Sequence, residues 1–311
     1  MDFASAKSAL VGVLSSVKPS EVPQLLDWMR NSEELDDYCF DNSHVILQAI
    51  AEDLRASLPV AAVLESEPMA VQKVQPLHGL LVFTQQAARP TVHVDAFLYD
   101  EEAVDSLCEE GKMSRHYCLN CGSHRTAVLG FISHSFSAVE LRFLFQHALP
   151  QLAGRVLVDV GSRLGAVLYG GYLYSSASQL IGVEINADFC QLQRATVEKY
   201  NFKDRIQIVH ADICSQNALL QDADVIVMNN VFEYFLDTSE QIRAWQCMSQ
   251  HARKKGSLLV TVPSLQESIA RLQGCGDLSQ WVEEVPLNYD VYMGKDSDPE
   301  ALRQIHLYRV L

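Results

Sequence analysis

An apolar run, Arg155-Val-Leu-Val-Asp-Val160, empties into the turn Gly161-Ser-Arg-Leu-Gly165, and a second run, Leu180-Ile-Gly-Val-Glu-Ile185, carries an acid near its end. A buried strand that ends in an Asp and then a glycine turn brings backbone close to a ligand. The helix that follows then presents its first amides to the same space. Glu184 lies 23 residues after Gly161, a separation that lets an acid on the neighbouring strand tip reach a ribose diol. The pair therefore asks for an adenosine-containing ligand.

From residue 137 onward the chain alternates strand and helix signals. Ser137-Ala-Val-Glu140 is a capping box opening a helix with Leu141, Leu144, Phe145 and Ala148 on one stripe. Strands are expected at 155–160, 180–185, 205–210, 223–228 and 257–262, with helices between them and Thr238-Ser-Glu-Gln241 capping the helix before the last. Such alternation specifies a doubly wound, mostly parallel sheet with helices on both faces. The segments 281–287 and 304–311 read as strands with no convincing helix between them, which predicts an antiparallel C-terminal hairpin at one edge.

The sites fall in an order that resembles the seven-stranded, class I methyltransferases that use S-adenosylmethionine. The resemblance covers roughly residues 137–311. Asp159-Val-Gly-Ser-Arg-Leu-Gly165 is similar to that family's glycine motif, which implies cofactor contacts from Asp159, Gly161, Ser162 and Gly165, with Asp159 near the methionine amino group. Glu184 corresponds to the ribose-binding acid, and His210-Ala-Asp212-Ile213 to the segment beside the adenine amino group. Asp224-Val-Ile-Val-Met-Asn-Asn-Val-Phe-Glu-Tyr-Phe235 resembles the motif that faces the methyl group. The Asn229-Asn230 pair is also similar to the non-SET histone-lysine methyltransferases, and small-molecule methyltransferases end this strand in a related Asn-x-x-Glu pattern. The family carries a second glycine where Arg163 stands. A long cation there either swings outward, pairs with the cofactor carboxylate or blocks the pocket, and the last case keeps open a catalytically inactive interaction or scaffold protein.

Methyl transfer needs donor and acceptor held at attack distance, water excluded and, for an amine, a free lone pair. Asn229 and Asn230 offer amide oxygens to an acceptor amine. Glu233 is placed to orient that amine or take its proton, and Phe232 and Tyr234 to wall a channel or simply to pack. A nicotinamide oxidoreductase is disfavoured by the acid at Asp159 and the lack of a Gly-x-Gly-x-x-Gly run.

Residues 1–136 form a separate expectation: an accessory region of helices, two short strands at 79–84 and 91–98, and a Cys/His loop. In that loop, His116-Tyr-Cys118-Leu-Asn-Cys121-Gly-Ser-His124 contains a Cys-x2-Cys-Gly knuckle. With His124 and His134 it offers four ligands for a structural zinc, against free thiols in a packed loop as the plainer reading. The net charge is −15, and residues 1–130 hold 19 acids against 9 bases. That surface repels a phosphate backbone, so a protein or small amine substrate is expected and nucleic acid is not. No apolar run is long enough to span a bilayer, and the start lacks a secretory layout. With eight scattered cysteines, these features predict a cytoplasmic or nuclear protein.

Overall fold

The computed structural model describes residues 3–31, 33–58, 95–99, 106, 109–110, 135–233, 236–270, 272, 278–292 and 299–311. Within these the chain falls into two units, Met1–Ile46 and Leu47–Leu311. The first holds α1 (Phe3–Ser16), α2 (Val22–Asn31) and the start of α3 (Glu33–Ser57). α3 runs unbroken through Ser43. No residue of α2 is buried.

In the second unit, α3 finishes with Leu47, Ile50 and Leu54 buried at i, i+3 and i+7. Asp53 on its other face accepts from Tyr200 Oη at 2.6 Å and pairs with Lys199 Nζ at 2.5 Å. The expected strand at 91–98 is corrected over its described part. The Asp95 carboxylate accepts the N–H groups of Phe97 and Leu98, at 2.8 and 3.3 Å, and so folds 95–98 into a turn. An Asp that bonds backbone two and three residues ahead offers the chain an alternative to a ladder, and here the alternative wins. The strand proposed at 79–84 lies outside the described residues.

From Ser137 onward sequence and structure run together. Ser137 and Glu140 form the capping box of α4 (Ala138–Phe143), which continues as a π-helical turn, Leu144–Ala148. Then come β1 (Val156–Val160), α5 (Ala166–Tyr174), β2 (Gln179–Glu184), α6 (Ala187–Lys199) and β3 (Ile206–His210). After α7 (Asn217–Asp222) follow β4 (Val225–Asn229), α8 (Thr238–His251), β5 (Leu258–Val262) and α9 (Leu265–Ile269). β6 (Val282–Val285), the short α10 (Pro299–Leu302) and β7 (His306–Val310) complete the unit. The cap of α8 is Asp237, with Glu240 closing its box, rather than Thr238.

Among the described residues these strands form one seven-stranded sheet in the order β3-β2-β1-β4-β5-β7-β6. β1 to β5 are parallel; β7 is antiparallel to both β5 and β6. The hairpin expectation holds, with β7 inserted between β5 and β6. The central strands are buried on both faces: Leu157, Val158, Val225, Ile226 and Val260 are fully enclosed. Each such aliphatic side chain contributes about 1.5–3 kcal/mol, which makes this layer the rigid part of the unit. The chain order reverses between β1 and β4, and a crevice opens at the carboxyl ends of such a reversal. Val160, Glu184, His210, Asn229 and Val262 end the five parallel strands on that edge.

Candidate functional site

The glycine turn after β1 is built by backbone geometry that side chains resist. Gly161 has φ +68° and Gly165 φ +87°, both left-handed. A Cβ on Gly161 would sit 3.2 Å from Val231 Cγ1, and one on Gly165 would sit 2.7 Å from the Tyr169 ring. The first of these contacts carries functional meaning. It brings the segment after β4 against the glycine turn, so two motifs 70 residues apart in sequence share one edge. Both N–H groups at the turn, Gly161 and Ser162, donate to Val183 O and so tie it to β2.

Asp159 is 4% exposed at its place in β1. Burial pushes its carboxyl well above the ordinary carboxylate range, and the negative charge of Glu184 pushes it further the same way. Glu184 ends β2 with both oxygens engaged. Oε2 accepts from Arg163 N at 2.9 Å and Oε1 from Asn186 N at 2.8 Å. A carboxylate has about four lone-pair sites, so this bracing leaves capacity for a diol.

Arg163, the departure from the family pattern, adopts φ +43°. Its guanidinium carbon lies 4.6 Å from the centroid of the Phe189 ring on α6, a cation–π arrangement. The sequence offered three fates for this cation, outward, on the cofactor carboxylate or across the pocket; the structure shows a fourth arrangement, packed against α6. Its carbonyl accepts from Gln193 Nε2 at 2.7 Å, and Gln193 Oε1 accepts from Ser162 Oγ at 2.9 Å. Gln193 is fully buried and was missed from sequence. Its signal was available: a polar residue inside the stripe Phe189, Cys190, Gln193, Thr196 and Val197 on the buried face of α6.

Asp212 caps a 3-10 turn, Ile213–Ser215, through its Oδ1, which accepts Cys214 N at 2.8 Å. Ile213 is buried in the core below it. Ile185, also missed, is 69% exposed beside Glu184, a bare apolar side chain at the edge of the crevice.

At the tip of β4, Asn230 takes φ +50°. Its N–H donates to Val262 O at 2.7 Å, and its Nδ2 donates to Asn229 Oδ1 at 2.9 Å. The amide pair is thus fixed between β4 and β5. Glu233 turns inward: with Asn230, Trp245, Thr261 and Ser268 it lines a small enclosed space. Burial pushes its carboxyl up, against the Ser268 side chain and the Phe232 N–H, which favour the charged form. Phe232 meets Trp245 edge to face at 5.2 Å, the packing role weighed for it from sequence.

Tyr234 lies outside the described residues, as do Cys118, Cys121, His124 and His134. Among the described residues no group of three His, Cys, Asp or Glu side chains is placed to hold a metal ion, and no helix is long and apolar enough to cross a membrane.

Residues 158–260, from within β1 to within β5, match the family model described as a methyltransferase domain. No curated protein sequence matches the chain. Among solved structures it is similar to a methyltransferase from Geobacter sulfurreducens, with 14% identity over 56% of this chain and 77% of that one and a TM-score of 0.36. An O-methyltransferase from Bacillus cereus in complex with SAH gives 14% identity, 58% and 83% coverage and a TM-score of 0.40. A putative SAM-dependent methyltransferase from Streptococcus mutans gives 14% identity and a TM-score of 0.40; the alignment takes in 60% of this chain and about half, 51%, of that protein.

Proposed function

We infer that this chain is a class I S-adenosylmethionine-dependent methyltransferase that transfers a methyl group to an amine, with a protein side chain as the acceptor best matched to its charge. The observation that carries the cofactor reading is Asp159. A carboxylate enclosed beside a second acid, at a strand reversal and under a glycine turn, is a poor arrangement for an empty crevice. It is a good one for a ligand bearing a positive charge.

The residues present fit S-adenosylmethionine. Asp159 would hold its ammonium, and Glu184 its ribose hydroxyls with the lone pairs that Arg163 N and Asn186 N leave over. Asp212 Oδ2 would accept from the adenine amino group, while Ile185 offers it an apolar edge. Gly161, Ser162, Gly165 and Ile213 shape the walls. When bound, this cofactor supplies a methyl carbon on a sulfonium, open to in-line displacement. The chain's own part is to position the acceptor and keep water away. With its Nδ2 donating to Asn229 Oδ1, Asn230 would offer its carbonyl oxygen to an acceptor N–H. Glu233 braces that turn from the inner side.

The acceptor reading rests on charge. A net −15 draws basic partners and repels nucleic acid. Cys190, Cys214 and Cys247 are free thiols, which supports a cytoplasmic or nuclear setting.

Titration of the purified protein with S-adenosylmethionine should give saturable heat and raise its melting temperature. Labelled cofactor should then mark basic proteins and not RNA. Binding without any transfer would leave the interaction-protein reading standing; label in RNA would overturn the acceptor class; no saturable heat would overturn the whole proposal.

A further inference from the structure

We propose that a second cleft, at the opposite edge of the sheet from the glycine turn, binds a small phosphate monoester with an apolar body. The cleft measures about 440 Å3, within the usual range of small-ligand sites, roughly 300–1,000 Å3. Its lining comes from the end of the π-helical turn and the residues after it, from His147 to Pro150, with Arg155, Gly256, Leu258, Val285, Leu307 and Arg309. The sheet register explains why these residues meet. Leu258 pairs with Arg309 and Val285 pairs with Leu307. Leu307 and Arg309 stand two apart on β7 and so share a face.

The charge of this lining is its distinguishing feature. In a chain of net charge −15, the lining carries two arginines and a histidine and no carboxylate. The Arg155 guanidinium makes no hydrogen bond or ion pair with a described residue. The acid that acts on it electrostatically, Asp224, already has both oxygens engaged, by Lys254 Nζ at 2.7 Å and by Val156 N at 2.9 Å. Arg309 donates from Nη1 to Glu283 Oε1 at 3.0 Å. That pair is half exposed, 51% and 52%, and so is worth little by itself. Nη2 and Nε of Arg309 make no bond to a described residue. Burial, and then the charge of Arg142, hold His147 below its ordinary range, so near neutral pH it adds an uncharged ring rather than a third cation.

Guanidinium groups present donors in a planar fork that matches phosphate oxygens. At Gly256 nothing lies within 4 Å of where a Cβ would be, which leaves room there for an anion. Leu149, Leu258, Val285 and Leu307 supply apolar contact for the rest of the molecule. This combination selects a phosphate carrying an organic group over a bare anion.

The test is calorimetric titration of the whole chain with phenyl phosphate, inorganic phosphate and benzoate at one ionic strength set by chloride. Phenyl phosphate should bind saturably, at least fivefold more tightly than inorganic phosphate or benzoate. Arg155→Met and Arg309→Met should each weaken it at least fivefold, while Lys203→Met, at an exposed cation elsewhere, leaves it unchanged. Arg309 is exposed enough to replace without loss of folding, so it decides the matter if Arg155→Met misfolds. Saturating S-adenosylhomocysteine should not displace the ligand. No saturable binding of phenyl phosphate, equal binding by Arg309→Met, or displacement by S-adenosylhomocysteine would each overturn the proposal.

Discussion

At the scale of single residues, Asp159 sets a measurable linkage between protons, stability and cofactor. Its folded pKa lies above its unfolded value. The folded protein therefore keeps a proton that the unfolded chain has released, and apo stability falls as pH rises from the ordinary carboxylate range through the folded pKa. Asp159→Asn removes that slope, so the variant without cofactor should melt higher than the parent at pH 8 and close to it at pH 4. A cationic ligand favours the ionised acid, so affinity for S-adenosylmethionine should rise with pH in the parent. The Asn variant should lose at least tenfold in affinity, about 1.4 kcal/mol, and lose the pH dependence as well. Thermal melts at pH 4 and pH 8 and calorimetric titration across pH 5–8 check the two signs. Arg163 gives a complementary prediction. Because its guanidinium rests on Phe189, Arg163→Gly should leave the cofactor dissociation constant within about threefold. A gain of tenfold or more would mean that the side chain obstructs the crevice after all. Neither the stacking nor the Glu184 bracing was legible in the sequence, where Arg163 had three equally open fates. Rotamer and φ are set by α6, which a motif read along one strand and turn does not include.

At the scale of elements, the alternating pattern from Ser137 to Val262 was readable because its signals are redundant. Apolar runs, glycine turns and capping boxes all point to the same boundaries. Where two signals competed, the reading slipped. Asp237-x-x-Glu240 and Thr238-x-x-Gln241 are both cap patterns, offset by one residue, and the structure takes the carboxylate, which is the stronger acceptor for helix amides. Asp237→Ala should therefore cost about 1 kcal/mol and lower the melting temperature by about 2–4 °C. Thr238→Ala should change it little. Thermal denaturation of the two variants side by side distinguishes the caps. The Asp95 turn is the same lesson in reverse. The alternation Val92-His-Val-Asp-Ala-Phe spelled a strand, but one buried carboxylate, 1% exposed in total residue area, captured two amides and bent the chain.

At the scale of the molecule, charge and topology do different work. The strand order positions the crevice, and the proposed acceptor class rests on the net charge of −15. If basic proteins are the acceptors, their KM should rise several-fold between about 50 and 200 mM salt while kcat changes little. Salt screens exposed charges over a Debye length of about 10 Å at 0.1 M. A steady-state series in chloride measures this, and a KM indifferent to salt would detach acceptor choice from surface charge. The second cleft could not be foreseen from sequence. Its two arginines are 154 positions apart and line one cleft because β7 inserts between β5 and β6.

That insertion also has a practical side. Since β7 runs against β5, its last residues lie beside the beginning of β5, with Arg309 opposite Leu258. An affinity handle or fluorophore joined after Leu311 thus emerges on the far rim from the glycine turn. It leaves the crevice at the glycine turn clear and crowds the arginine-lined cleft, so immobilisation through that end suits assays of the proposed methyl transfer and is the wrong tether for phosphate titrations.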